Sequence, residues 1–217
     1  IPPDRIIKTG SPMKEVIEAN RDKIENSKIL SKMGLTRDNY FLVSIHREEN
    51  VESSQNFNNL LDCLNKISKT YNYPVIVSTH PRTRKKLNEL NCDDVDELIT
   101  FNKPFGFHDY NKLQMNSFCT ISDSGTIMEE SSIFGRPSVN IRQSHERPEG
   151  MDEGTLVMSG LDRDDVLQSI RAVTQCKTPK IVRDYDVNNV SMKVLNIILS
   201  YYHFVNRETW YKDKNEL

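Results

Sequence analysis

The chain has 217 residues, enough to bury a substantial core as one large domain or as a domain with appendages. A formal net charge of −2 and a pI near 6.3 give no electrostatic case for nucleic acid or an anionic membrane as partner. Charged residues at 28% and a mean hydropathy of −0.61 describe a soluble chain without a signal peptide or spanning segment. Cys63, Cys92, Cys119 and Cys176 stand far apart with no CxxC pair, which fits free thiols in a reducing cytoplasm.

The sequence opens on Ile1-Pro2-Pro3-Asp4 without Met, as if cut from something longer. Lys8-Thr9-Gly10-Ser11-Pro12 predicts a strand end followed by a capped helix start, and Met13–Met33 a polar helix in one or two pieces stopped by Gly34. Phe41–Ile45 reads as a strand running directly into His46-Arg47-Glu48-Glu49-Asn50. Phe57, Leu60, Leu61, Leu64 and Ile67 keep helical spacing across Asn56–Thr70. Pro74–Thr79 is the next strand, with His80-Pro81-Arg82 at its end and a short basic helix over Thr83–Leu90. Leu98–Phe101 is a strand, residues 102–107 a loop, and Tyr110–Met115 a short helix.

Phe118–Ile121 then predicts a buried strand, and Ile127, Ser131 and Phe134 mark one helix face that Gly135 and Pro137 bring to a stop. Between them Asp123-Ser124-Gly125 forms a tight strand-to-helix turn, with Ser124 as a helix cap and Gly125 leaving room near the backbone. Ser138–Ile141 is a strand, Arg142–Gly154 a long polar loop, and Thr155–Met158 the last strand. A helix over Asp164–Thr174 is capped by Asp162 or Asp164. The tail from Asn188 to Trp210 carries a long apolar stripe, the pattern of a helix that packs on another domain or subunit.

Strands thus alternate with helices six times, which predicts an α/β, Rossmann-like fold: a mainly parallel sheet with helices on both faces. Ligands of such sheets bind beyond the carboxyl ends of the strands. His46, His80, Phe105, Ser124 and the Arg142–Arg147 loop each follow a different strand and collect at that edge. A helix N-terminus after Ser124-Gly125-Thr126 is an anion site, and phosphate is its commonest guest. Glu130, one turn below Thr126, is placed to accept hydrogen bonds from a ribose diol rather than to touch the phosphate. The plainer alternative is that Ser124 only caps and Glu130 is solvated.

His46 and Arg47 together suit a diphosphate, with His46 donating to a phosphate oxygen or protonating a leaving group; the alternative is a surface turn. His80 and Glu49 are secondary candidates at the same edge. Pro104-Phe105-Gly106-Phe107 offers an aromatic face and backbone amides to a flat base, or simply two core phenylalanines around a turn. Arg147 is placed for a bidentate phosphate contact, or belongs to a solvated charge cluster. Scattered histidines, no HExxH and no Cys pair argue against a metal, and no Walker A, GxGxxG or GxSxG motif is present.

Ser44–Asn50, Ser122–Glu130 and His145-Glu146-Arg147-Pro148-Glu149-Gly150 resemble, in this order, the motifs of the non-hydrolysing UDP-N-acetylglucosamine 2-epimerases. The resemblance runs from about Lys8 to about Leu199. The spelling of Ile45–Glu52, with Ser78–Arg82 and Pro104–Phe107, is most similar to the capsule and O-antigen branch that forms UDP-N-acetyl-L-fucosamine. The resemblance implies the C-terminal, nucleotide-binding half of a two-domain GT-B fold, residues 1–187, with a helix and tail at 188–217 crossing to an N-terminal domain. It implies that Ser124, Gly125 and Thr126 hold the diphosphate and Glu130 the ribose. Phe105 and Tyr110 would then lie near uracil, and Arg47, Arg147 and His46 would face the phosphates and sugar.

The implied reaction eliminates UDP to leave a 2-acetamidoglycal, then re-adds it after protonation of the other face of C2. It needs no cofactor, NAD or metal, and its acid and base come from the other half. The whole protein is expected to be a cytoplasmic homodimer acting on a UDP-sugar. Two departures stand out. Glu48 replaces a second Arg usual in the UDP-GlcNAc enzymes, which bears on a regulatory second nucleotide site, and Thr126 replaces the last residue of Ser-Gly-Gly. A GT-B glycosyltransferase donor half and a non-enzymatic contact domain are the rival readings.

Overall fold

The computed structural model describes residues 5–47, 50, 53–79, 83–84, 86–87, 95–144, 147–175 and 180–212. Residues 20–182 form one compact unit, and the described residues on either side of it, 5–19 and 183–212, form a second.

The larger unit is built on six parallel strands, β1 (Phe41–Ile45), β2 (Val75–Thr79), β3 (Ile99–Asn102), β4 (Cys119–Ser122), β5 (Ser138–Asn140) and β6 (Val157–Met158), in the order β3-β2-β1-β4-β5-β6. The chain winds outward from β1 in one direction, returns to the centre at β4 and winds outward the other way. The switch point therefore lies between β1 and β4, whose register sets Ser44 opposite Ser122.

Side chains alternate across each strand, so the sheet needs cover on both sides. Phe41, Val43 and Ile45 pack on one face with Val75, Val77, Cys119 and Ile121. That face is closed by an 18-residue helix, Ser54–Tyr71, and by a 13-residue helix, Arg163–Gln175. The first inserts Phe57, Leu60, Cys63, Leu64 and Ile67, and the second Val166, Leu167 and Ile170. Leu42 and Ile76 point the other way, to Ile29, Tyr40 and Leu113. Among the described residues, the helices of this unit with both ends placed are, in chain order, α2 (Arg21–Glu25), α3 (Ile29–Met33), α4 (Ser54–Tyr71), α5 (Phe107–Asn116), α6 (Ile127–Phe134), α7 (Glu149–Asp152) and α8 (Arg163–Gln175).

Local chemistry sets the boundaries. The Ser53 hydroxyl caps α4 by accepting from the Asn56 amide, and Gly34 and Gly135 close α3 and α6 in the left-handed conformation. Asp162 caps α8 through bonds from the Asp164 and Asp165 amides. Cys63 and Cys119 are buried free thiols, and burial pushes the Cys63 thiol up to about 12; Cys92 and Cys176 lie outside the described residues.

Three expectations are corrected. The helix expected over 13–33 in one or two pieces forms as three, Met13–Ala19, Arg21–Glu25 and Ile29–Met33. The 142–154 segment is not all loop, because α7 forms within it after Pro148, whose fixed φ suits a helix start. No strand forms at Lys8-Thr9. That segment belongs to the smaller unit with α1 (Met13–Ala19) and α9 (Val190–Glu208), where the Ser11 amide bonds the Asp184 carbonyl and Lys193 bonds the Thr9 carbonyl. Gly10 allows this approach: its φ is +88°, and a Cβ there would lie 3.0 Å from Val187. The Ser11 hydroxyl accepts from the Met13 amide, so the capped helix start is present. The expected Thr83–Leu90 helix is helical at 83–84 and 86–87, and its other residues lie outside the described ones.

Candidate functional site

Two central parallel strands that end side by side leave backbone donors with no strand partner. At the ends of β1 and β4 those donors converge on Asp123, the first residue after β4, whose side chain is fully buried. Its own amide bonds the Ser44 carbonyl at 3.3 Å, which fixes it against β1. Its carboxylate then accepts from the His46 amide at 3.2 Å, the Arg47 amide at 3.0 Å and the Asn50 side-chain amide at 3.0 Å. The His46 ring sets Nδ1 2.9 Å from Oδ1, and Arg47 Nε donates to the Asp123 carbonyl at 3.1 Å.

Burial alone would push the Asp123 carboxyl up. The His46 ring, the Arg47 amide and the Asn50 amide outweigh it and hold the group below the ordinary carboxylate range. His46 is raised in turn, chiefly by its bond to Asp123, against the opposing effects of burial and of the Arg47 and Arg142 charges. The protonated form of the imidazole is thus favoured by the carboxylate it bonds.

The turn that follows bends onto α6. The Ser124 amide donates to the Ser122 hydroxyl at 3.0 Å. The Ser124 hydroxyl accepts from the Thr126 amide at 3.3 Å and lies 3.0 Å from the Thr126 hydroxyl. Ser124 therefore ties the turn two residues ahead of the helix. The cap position itself is Thr126, with no side-chain cap bond, which corrects the expected role of Ser124 as the helix cap. The amides of 127–129 have no carbonyl within the helix to bond and face outward with the positive end of the helix dipole.

Glu129 and Glu130 follow, each only 8% exposed. Glu129 is held by Arg147 Nη1 at 3.2 Å, and the same nitrogen reaches the Gly125 carbonyl at 3.3 Å. Arg147 thereby ties the turn at Gly125 to the first turn of α6. Burial raises the Glu130 carboxyl, against the Thr126 hydroxyl and the Gln114 amide, and the Glu129 charge adds to the rise. The Tyr110 phenol is raised by burial and by the charges of Glu130 and Asp123, with Ser44 opposing. Phe105 and Tyr110 pack, partly buried, on the second core cluster.

Of the residues expected from the sequence, His46, Arg47 and Tyr110 come together around Asp123, and Ser124, Gly125, Thr126, Glu130 and Arg147 around the start of α6. Phe105 packs on the second core cluster, as Tyr110 does. His80 and Glu49 lie outside the described residues. Asp123, Asn50, Glu129 and the 3%-exposed Arg142 are contributors that pattern reading passes over. Asp123 reads as one more turn residue until the strand order makes β1 and β4 neighbours. Among the described residues no cluster of three His, Cys, Asp or Glu is placed to hold a metal, and no helix is long and apolar enough to cross a membrane. A cavity of about 110 Å³, lined by Ser131, Gly135, Arg136, Thr155 and Val173, opens at the amino ends of β5 and β6 and shares no residue with this cluster.

The sequence matches the UDP-N-acetylglucosamine 2-epimerase family over residues 1–199. A UDP-N-acetylglucosamine 2-epimerase of Methanococcus maripaludis is 35% identical over 146 residues, 66% of this chain and 40% of that protein. A UDP-2,3-diacetamido-2,3-dideoxy-D-glucuronate 2-epimerase of Pseudomonas aeruginosa is 30% identical over 142 residues, 65% of this chain and 39% of that protein. The solved structure of UDP-N-acetylglucosamine 2-epimerase from Rickettsia bellii superposes with a TM-score of 0.87 at 44% identity, covering 98% of this chain and 58% of that one. The chain spans about half the length of the curated relatives it matches.

Proposed function

The chain belongs to the UDP-N-acetylglucosamine 2-epimerase family, and from that premise we propose that it is the nucleotide-holding half of an enzyme that inverts C2 of a UDP-N-acetylamino sugar. One observation carries the proposal. The amides at the start of α6 and the His46 imidazole lie at the switch point of a six-stranded parallel sheet, where an anionic ligand is best received.

In this reading Ser124, Gly125 and Thr126 with the first turn of α6 hold the diphosphate, and Arg47 and Arg147 flank it. Glu130 accepts the two ribose hydroxyls, and Phe105 and Tyr110 border the uracil. A base outside this chain removes the C2 proton, the C1–O bond breaks, and its electron pair leaves with UDP to give the 2-acetamidoglycal. His46 beside the departing phosphate stabilises the charge that builds there. Protonation of the opposite face of C2 and return of UDP to C1 complete the inversion. Secondary roles for His80 and Glu49 follow from their places in the sequence.

The sugar we propose is UDP-2-acetamido-2,6-dideoxy-L-talose, converted to UDP-N-acetyl-L-fucosamine for capsule or O-antigen synthesis, on the spelling of Ile45–Glu52 and Pro104–Phe107. The second reading, UDP-GlcNAc to UDP-ManNAc, is favoured by the names of the Methanococcus maripaludis and Rickettsia bellii relatives. We further propose a cytoplasmic homodimer for the whole protein, with 1–187 as the UDP-binding domain and 188–217 reaching to another domain.

Two assays test this. Calorimetry with UDP on the chain is expected to show one site, lost in the Ser124→Ala/Glu130→Ala double variant; no binding by the wild-type chain would remove the proposal. Turnover of the two sugars by the full-length enzyme then chooses between the readings, the favoured one having the larger kcat/KM.

A further inference from the structure

We propose that Asp123 is a positioning residue: its buried carboxylate holds the His46 ring with Nδ1–H turned inward and presents Nε2–H to the diphosphate of UDP at the start of α6. The inference rests on the nucleotide site proposed above and adds the group that gives its histidine a fixed tautomer and charge.

The geometry leaves little choice of orientation. Nδ1 lies 2.9 Å from Asp123 Oδ1, and the same carboxylate grips the His46 and Arg47 amides at 3.2 and 3.0 Å. Ring and backbone are thus held by one rigid group, itself fixed by the Ser44 carbonyl. A carboxylate only accepts, so Nδ1 carries a proton whether the ring is charged or neutral. His46 keeps 46% of its side-chain surface exposed, and Nδ1 is the ring nitrogen bonded to Asp123, which leaves Nε2 for the ligand.

A fully buried carboxylate at a diphosphate site would repel its ligand unless a cation lay between them. His46 is that cation, and the pair turns an unfavourable charge into a reason for the ring to stay protonated. Among the described residues the other charges facing the ring are Arg47 and Arg142, and the Tyr110 phenol faces Asp123. Both arginines oppose protonation of His46 and attract the diphosphate, so Asp123 is the group that keeps a third positive charge in place. No proton changes hands on binding; the imidazolium donates a hydrogen bond through Nε2–H.

The test uses the chain itself, with ¹⁵N-labelled histidine. The sequence has five histidines, and the His46→Gln variant assigns the signal. In the wild-type chain His46 is expected to titrate above the ordinary histidine range and, once neutral, to carry its proton on Nδ1. In Asp123→Asn the titration is expected to move down. A neutral Nε2–H tautomer in the wild type, or a titration that Asp123→Asn leaves in place, would overturn the proposal.

UDP affinity provides the second arm. Asp123→Asn is expected to bind about tenfold more weakly than wild type at a pH between the two measured His46 titrations, the scale of one charge-assisted hydrogen bond. The gap should close at a pH below both titrations, where the two rings carry the same charge. An equal gap at both pH values would show a prop for the fold and nothing more, and would overturn it. If Asp123→Asn does not fold, the wild-type tautomer still decides, and His46→Gln is expected to flatten the pH dependence of UDP affinity. A wild-type chain that binds no UDP would count against the nucleotide site while the histidine titration still judged the pair.

Discussion

Glu130, the proposed ribose ligand, is kept buried at the expense of stability. Its carboxyl is raised by burial, so its folded-state value lies above the unfolded one. A group shifted this way contributes stability that is fully present below the unfolded value and is lost as pH rises through the folded value. At neutral pH the wild type has therefore given up that contribution, and Glu130→Gln should recover it. We expect the variant to gain roughly 1 kcal/mol at pH 7.5, about 2–4 °C in Tm, with the difference shrinking toward pH 4. UDP affinity should fall about tenfold, since the amide cannot accept both hydroxyls as a carboxylate does. Paired thermal melts at the two pH values check the first part, and a lower Tm at pH 7.5 would contradict it.

The His46–Asp123 pair has its own window. Raised His46 gives stability that is full below the histidine range and lost above it, and lowered Asp123 gives stability that is full above the carboxylate range and lost below it. Together they favour mildly acidic pH, so Asp123→Asn should lose most stability relative to wild type between about pH 4 and pH 6.5. Ser124, Thr126 and Glu130 were legible because a buried strand, a Ser-Gly pair and a helical stripe follow one another in sequence. Asp123 was not, because its meaning comes from β1, 77 residues away from the contact it makes with His46, and strand order is a property of the sheet rather than of any local window.

At the scale of elements, periodicity carried most of the reading. Phe57, Leu60, Leu64 and Ile67 repeat at helical spacing, and all four are buried on the sheet. Leu64→Ala should therefore cost about 2–5 kcal/mol, seen as a fall in Tm, and a variant within 0.5 kcal/mol of wild type would contradict this packing. Gly135 ends α6 at a φ of +60°, and Gly135→Ala should cost about 1 kcal/mol through the left-handed strain. The elements missed were those that pattern cannot carry. The four residues of α7 are shorter than any period, and the last strand keeps only Val157 and Met158 on β5 because β6 lies at the sheet edge. The segment at Lys8-Thr9 has strand-like residues but finds its backbone partners near Asp184 and Lys193 rather than in the sheet. The expected tail helix is present as α9, whose Ile198 and Leu199 are 57% and 65% exposed. Leu199→Lys should leave the stability of this chain within about 0.5 kcal/mol.

For the whole molecule, the strand order 3-2-1-4-5-6 and the two-sided core build one continuous sheet, and its switch point is the place proposed for the nucleotide. A chain that binds UDP there should be stabilised by about 2.7 kcal/mol at a hundredfold excess over Kd, while turning over neither sugar by itself. The most direct measurement is a crystal structure of the chain with UDP. The diphosphate is expected against the amides of Gly125 and Ile127, with His46 Nε2 in hydrogen-bond reach and Glu130 on the ribose. Nucleotide in the cavity beside Arg136 and Thr155, with the end of β4 left vacant, would contradict it.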